Sequence, residues 1–490
     1  MADTRPAPGS LDDLRQRFGP KLRWWMLLSV MLGSMAAVMA STIANVAVPD
    51  MSREFTLTPS RAQWLSASFM AAMTVAMLTT PRMLQSLGYR RTYTWAVGLL
   101  MLGGIGGGFS PSFELVIAMR VAEGWAAGVL QPIGAIIIMR AFAPHEQGRA
   151  MGIFGFGVVL APAIGPSVGG VLVEWFGWRA IFFVVVPLCA IALPLGRRFM
   201  PITAPGGVAA GDVAGRTDLA GLALLASALL CLLNGLVHLH DPHRGLAAGL
   251  LLGSVVLGAA FLWRQKTAAA PLMALGVFRQ GVFPAASVVA FFYGMAVYAS
   301  TYLVPVFMQT ALHLPPSQAG AVLLPAGLML ALTNPVAGRL ADRLPAHLLI
   351  CVGLLLMSAS FAGMWWVGLG TALAAVAAWT VLGRIGLGLA LPSLNLGALR
   401  GLSTEWISSG ASVINFVRQL GGAVGISLVG VALEWRLTAH GVEGAIVGAA
   451  EQQAQMAAFH ETFALLALTM GVAASAAWGM RARRRAAAAP

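Results

Sequence analysis

The sequence predicts an all-α membrane protein in which fourteen transmembrane helices form two six-helix halves with a further pair inserted between them. Three observations carry this. First, 58% of the 490 residues are hydrophobic and only 10% are charged, with a mean hydropathy of +0.80, which excludes a soluble globule. Runs apolar enough to cross a bilayer lie near 25–49, 62–84, 93–110, 113–139, 149–173, 180–196 and 218–237. Seven more follow near 245–263, 282–308, 318–340, 347–368, 372–397, 408–434 and 462–480. Second, the basic residues alternate between successive loops: 23 of the 31 fall on one set, five on the other and three inside runs. By the positive-inside rule both termini are cytoplasmic. The formal charge of +13 thus reports topology and contact with anionic lipid, not a nucleic-acid partner.

The third observation is an internal repeat. Arg120 is followed four residues later by Gly124, as Arg384 is by Gly388. The first and ninth runs end in Val46-Ala47-Val48-Pro49 and Tyr302-Leu303-Val304-Pro305. The basic turn Pro81 to Arg91 is echoed by Gly338 to Pro345. These offsets all lie near 260 residues, and parallel repeats of this kind place a binding site between the halves at mid-membrane. The expected organisation is a cytoplasmic segment 1–24, an N-terminal six-helix bundle 25–200 and a linker with two inserted helices 201–281. A C-terminal six-helix bundle 282–480 and a basic cytoplasmic tail 481–490 complete it.

The first run carries Met31, Met35 and Met39 at helical spacing, which suits either an adaptable pocket wall or helix packing. Asn45 follows, an amide that in hydrocarbon wants a partner helix or a ligand. The fourth run is the one that sets an acid and a base together deep in hydrocarbon. Arg120 and Glu123 stand three residues apart, on one helix face. A charge at mid-bilayer costs roughly 2.5–3.5 kcal/mol even on lenient insertion scales, so the pair either lines a water-filled cavity or neutralises itself as a structural bridge. The expectation is the cavity.

The fifth run contains Gly157, Gly165, Pro166, Gly169 and Gly170, a pattern that permits close helix approach and a kink. Residues 197–217 read as a flexible cytoplasmic link. His238, His240 and His243 superficially suit a metal but lack a second ligand cluster, so no metal is expected. Cys189, Cys231 and Cys351 fall in separate runs with no ligand spacing and read as small core residues. About twenty polar residues precede a full-length first run, unlike a cleaved signal. The segment 435–461, with Glu451-Gln452-Gln453, is either a docking surface for a partner or a solvated hairpin.

Ser41 to Pro49, the Arg120…Gly124 pair, Gly157 through Gly170, Trp178 to Phe182 with Pro187, Gly338 to Arg343 and Ser412 to Gly422 together resemble the major facilitator superfamily. More narrowly, they resemble its fourteen-helix drug:proton antiporters of the EmrB type. The resemblance implies the major facilitator fold and a transporter, not an enzyme, that exports amphipathic small molecules by alternating access without a cofactor, driven by the proton motive force. It implies that Arg120 takes part in proton transfer, that Gly157, Gly165, Pro166, Gly169 and Gly170 form the antiporter hinge, and that Arg90, Arg91, Arg339, Asp342 and Arg343 form cytoplasmic gate contacts. It also implies an inner-membrane location, and a periplasmic adaptor with an outer-membrane channel as partners.

This chain departs from the pattern at three places. Ala40 stands where the family usually has an aspartate, Gln85 replaces an acidic or polar turn residue, and Glu123 replaces a glutamine. The proton site is therefore expected to have moved to Glu123, with Arg120 beside it; if Glu123 is only a counter-ion, the chain is an uncoupled facilitator. Thr42, Asn45, Gln131, Tyr298, Arg384, Asn395 and Asn415 are the candidate substrate-cavity residues. The intramembrane arginines Arg120, Arg384 and Arg418 outnumber the one deep acid, which favours neutral or weakly acidic substrates over cations. A proton-independent or importing metabolite facilitator is the second reading, and a membrane enzyme or receptor a remote third.

Overall fold

A backbone in hydrocarbon must satisfy its own polar groups, and helices do so within one segment. The computed structural model describes residues 9–205, 210–211, 218–240, 244–442 and 449–481, and the regular elements among them are helical. Nine helices run to the end of the sixth apolar run: α1 (Leu11–Phe18), α2 (Leu22–Ile43), α3 (Val48–Glu54), α4 (Pro59–Met77), α5 (Thr80–Gly108), α6 (Phe113–Ala141), α7 (Gln147–Phe176), α8 (Ala180–Phe183) and α9 (Val185–Phe199). Next come α10 (Leu219–Val237) and α11 (Arg244–Thr267). Then follow α12 (Phe283–Val306), α13 (Pro316–Ala341), α14 (Ala346–Gly363), α15 (Leu373–Leu399), α16 (Ile407–Ala439) and α17 (Ala449–Trp478).

Eleven described helices are long and apolar enough to cross a membrane, and twelve if the bent pair Arg61–Met77 and Thr80–Gly108 counts as one span. The expected count of fourteen is not confirmed on this criterion among the described residues. The second and third runs meet at a 79° bend between α4 and α5, and the basic turn expected at 81–91 is itself helical apart from the break at Gly88 (φ 75°). The 30-residue α7 is not among the eleven, the side chains at 163–164 and 166–167 lying outside the described residues. The chain is a multi-pass membrane protein.

The fold divides into two compact units: Met1–Leu230 with Val256–Val277 and Leu402–Phe416, and Cys231–Val255 with Phe278–Gly401 and Val417–Pro490. In the first, an apolar cluster of Ile43, Ala47, Met51, Leu65, Phe113, Trp178 and Phe182 closes the bundle where α2, α4, α6 and α8 meet. Ser112 caps α6 by accepting from the Leu115 amide at 3.4 Å, and Glu114 in the first turn suits the positive helix end. Trp178 Nε1 donates to Glu54 at 2.6 Å, and Arg179 grips the same carboxylate with both terminal nitrogens at 3.1 and 2.7 Å. This fork fixes the end of α3 onto the start of α8.

The segment expected as a flexible link is in part neither flexible nor a link. Arg197 and Arg198 belong to α9, and Met200, Pro201, Thr203 and Ala204 are buried. Gly88 is why: its positive φ turns the chain, and any Cβ there would collide with the Ile202 carbonyl. The Tyr89 and Arg90 amides then donate to the Thr203 and Pro201 carbonyls at 3.2 and 2.9 Å. On the same side Ser10 caps α1, and the Ile202 amide reaches Gly9 O at 3.0 Å. Arg23 pairs with Glu146. The segment 435–461 is also largely helical, continuing α16 and beginning α17, with Glu461 paired to Arg436 at 3.1 Å; residues 443–448 lie outside the described ones. His243 also lies outside them.

Candidate functional site

The Arg-x-x-x-Gly spacing on α6 explains how a guanidinium is lodged in the first unit. Gly124 lies so close to the Phe69 carbonyl that a Cβ would clash with backbone, and this approach brings α4 within reach of Arg120. Arg120 Nε donates to Leu65 O at 3.0 Å, and Nη1 donates to Ala40 O at 2.9 Å and to Glu123 Oε2 at 2.9 Å. The Phe69 ring lies 4.3 Å from the guanidinium carbon, a cation–π contact. The fourth side is α5, where a Cβ at Gly103 would sit 2.6 Å from Glu123 Cγ. Glycine at 103 is the space into which the carboxylate side chain fits.

Arg120 and Glu123 are each 1% exposed. The structure does not show the expected cavity: the gap among Ala40, Ala44, Arg120, Glu123, Phe182 and Val185 leaves no room for a water. The physical reason is mutual neutralisation, since each charge supplies what water would otherwise supply. One group is left over. Arg120 Nη2 is buried without a hydrogen-bond partner among the described residues, so the guanidinium keeps an unused donor beside a carboxylate that it already holds. The arrangement has two states in chemical terms: with Glu123 ionised it is closed by the ion pair, and with Glu123 protonated the pair is lost and Arg120 needs another anion.

The candidate cavity residues fall in both units. Thr42 Oγ1 turns back to its own helix, donating to Met39 O at 3.3 Å, and Asn45 is exposed and accepts from Ser66 Oγ at 2.5 Å. Gln131 is half-buried on α6, and Asn415 is buried and donates to Ala411 O at 2.8 Å. These hydrogen bonds tie Thr42, Asn45 and Asn415 to neighbours other than the Arg120–Glu123 pair. In the second unit Tyr298 donates to Gln419 Oε1 at 3.1 Å, Asn395 is half-buried, and Arg384 Nη2 reaches Thr301 Oγ1 at 3.5 Å.

The glycines expected to form a hinge are spread along the face of α7 that meets α2. A Cβ at Gly157 would sit 2.5 Å from Met31 Cγ, at Gly165 3.2 Å from Thr42 Oγ1, and at Gly169 2.7 Å from Ile43 Cγ1. Gly170 faces nothing within 4 Å, and the Pro166 side chain lies outside the described residues. Met31 is therefore a packing residue. Of the expected gate contacts, Arg90 instead docks the end of α9, its Nε donating to Met200 O at 2.8 Å. Arg91, Arg339 and Arg343 are exposed. Asp342 is held by Arg400 at 2.9 Å, and Arg400 also donates to Ala341 O at 3.0 Å. Sequence reading missed Glu54, Glu146 and Arg400 as partners; only the adjacent Trp178-Arg179 pair carried a signal for the first.

Comparison with known proteins puts this geometry in context. The family model described as Major Facilitator Superfamily matches residues 30–426. A tetracenomycin C resistance and export protein of Streptomyces glaucescens is 27% identical over 417 residues, covering 84% of this chain and 76% of that one. A multidrug resistance protein B homolog of Mycobacterium tuberculosis is 28% identical over 422 residues, covering 83% and 75%. Among solved structures, the proton:xylose symporter XylE aligns over 94% of this chain and 95% of its own, with a TM-score of 0.64 and 13% identity, a likeness of fold.

Proposed function

The chain belongs to the Major Facilitator Superfamily, and from that premise we propose that it exports amphipathic small molecules across the inner membrane in exchange for protons. The observation that carries the reading is the composition of one site. Ala40, which stands where the resembling antiporters usually have an aspartate, gives its carbonyl to the same Arg120 nitrogen that Glu123 grips. The acid is thus displaced from α2 to α6 while it still addresses the same cation. Drug-resistance and export relatives over more than four-fifths of the chain support the direction and the substrate type.

In this reading, ionised Glu123 holds Arg120 and the site is closed. When access opens towards high proton concentration, Glu123 is protonated, the ion pair breaks and substrate leaves; opening to the cytoplasm reverses the exchange. Gly157, Gly165, Pro166, Gly169 and Gly170 let α7 slide on α2, and Arg90, Arg91, Arg339, Asp342 and Arg343 re-pair at the cytoplasmic ends as the halves rock. Both termini are cytoplasmic, and the outer ends of α16 and α17 are the surface offered to a periplasmic adaptor and, through it, an outer-membrane channel.

A second reading, an uncoupled facilitator, is favoured by one observation: the pair is fully neutralised and sealed. Uptake of 1-naphthoate, a lipophilic weak acid, into everted vesicles with an acid interior separates the two. Passive partitioning drives a weak acid away from the acid side, so accumulation there requires exchange for protons. Coupled export predicts accumulation by the native chain and its loss in Glu123→Gln. Gradient-independent equilibration by both proteins would establish the facilitator.

A further inference from the structure

The offset that relates Arg120 to Arg384 also relates Glu123 to Leu387 and Gly124 to Gly388. The two arginines occupy repeat-related positions, yet only the first has a carboxylate built beside it. Between Phe283 and Leu433 the acidic residues are Asp342 and Glu405, and both lie outside the helices. Asp342 is already taken by Arg400 at 2.9 Å. No acid is therefore within the apolar part of the second unit's α12 to α15 to offset Arg384.

Arg384 lines a cavity of about 20 Å³ with Ser300, Val304, Ser360, Thr380 and Leu387. That is room for roughly one water-sized group. Its hydrogen bond among the described residues is the long one to Thr301 Oγ1, 3.5 Å. The nearby hydroxyls are committed elsewhere: Ser300, Ser360 and Thr380 donate to the carbonyls of Val297, Trp379 and Ala377 at 2.9, 2.7 and 2.8 Å. They contribute dipoles but no charge. A guanidinium held in an apolar bundle without a counter-ion is costly unless something anionic joins it.

We propose that Arg384 is an anion site which receives the head group of an organic acid during transport. This rests on the export reading above and narrows its substrate class to amphipathic compounds carrying one carboxylate or similar monovalent anion. The planar guanidinium offers parallel N–H donors that match a carboxylate, the cavity has room for about one carboxylate oxygen beside it, and Val304, Leu323, Phe361 and Leu387 give the adjoining apolar surface. The repeat supplies the logic. Where the first half carries its own carboxylate as Glu123, the second half leaves the position to the ligand, with Leu387 in its place.

The test is calorimetric binding to the purified full-length protein in detergent at pH 7, with 1-naphthoate, uncharged 1-naphthamide and chloride as probes. Naphthoate affinity is expected to fall at least tenfold in Arg384→Gln and less in Arg384→Lys, while naphthamide binding does not change between native and Arg384→Gln. Leu387→Glu, which supplies an internal carboxylate, is expected to match the loss in Arg384→Gln while leaving the melting temperature intact. Unchanged naphthoate affinity in Arg384→Gln overturns the proposal, as does binding of neither anion. Chloride binding that depends on Arg384, without naphthoate binding, overturns the role in substrate recognition and assigns the site to a free halide. Binding needs no gradient, so failure here is distinct from a failure of Glu123 coupling.

Discussion

The Arg120 and Arg384 sites are two copies of one device, and they differ in who provides the negative charge. In the first unit Glu123 lies 2.9 Å from Arg120, both residues are 1% exposed and no water fits beside them. In the second unit Leu387 replaces the acid, and Arg384 opens on a cavity of about 20 Å³. A charge paired inside the chain is inert until a proton breaks the pair; a charge left unpaired is ready for a ligand. On the proposed reading, the repeat separates two tasks, sensing protons and holding an anion.

The largest contrast is expected in stability. Arg120→Ala strands a buried carboxylate, and losing one partner of such a pair costs about 3–5 kcal/mol, so the melting temperature in detergent should fall sharply. Arg384→Ala removes a cation that has no partner to strand, and its melting temperature should stay level or rise. Equal losses in the two variants would erase the distinction between the sites. Next, Gly103→Val should displace Glu123, because a Cβ there would already meet Cγ at 2.6 Å, whereas Gly258→Ala on α11 should be nearly neutral, with nothing within 4 Å. Reconstituted transport of 1-naphthoate checks both: the first should fall at least tenfold, the second by less than twofold.

A smaller effect is expected at Asp218, just ahead of α10. Burial works against its carboxylate, but hydrogen bonds from the Gly221 amide at 2.9 Å, Arg264 at 2.6 Å and Gln265 at 3.2 Å outweigh that and hold the carboxyl below its ordinary range. A lowered folded-state value means that the stability is present above the unfolded aspartate value and is lost as pH falls through the folded one. Asp218→Asn should therefore lower stability by about 1 kcal/mol at pH 7, after screening at the half-exposed Arg264. The difference should vanish in strong acid, as melting curves across pH would show. Asp342→Asn, which removes a more exposed carboxylate from its bridge to Arg400, is expected to cost less, roughly 0.5 kcal/mol.

The helical class was legible because apolar runs are long. The place where α5 breaks was not, since one positive-φ glycine at 88 decides it, and a single glycine among 57 carries no visible signal. Arg120 with Glu123 was readable from three-residue spacing on a helix. Glu54 with Arg179 and Asp342 with Arg400 were not, because each pair joins positions far apart in sequence that meet only after helices pack. The docking of Met200 to Ala204 was hidden for the same reason: a short Pro- and Ala-bearing stretch reads as a linker until its carbonyls find the amides of Tyr89 and Arg90. That the Arg120 pair is sealed follows from Gly103 and Gly124, whose close contacts spacing alone does not reveal.

The most direct measurement is gradient-driven accumulation of 1-naphthoate in proteoliposomes with an acid interior, comparing the native chain, Glu123→Gln and the double variant Ala40→Asp with Glu123→Gln. The native chain should concentrate the compound, Glu123→Gln should lose at least tenfold of that accumulation, and the double variant should regain part of it by presenting an acid to Arg120 from α2. Accumulation by Glu123→Gln equal to that of the native chain would contradict a proton site at Arg120 and Glu123.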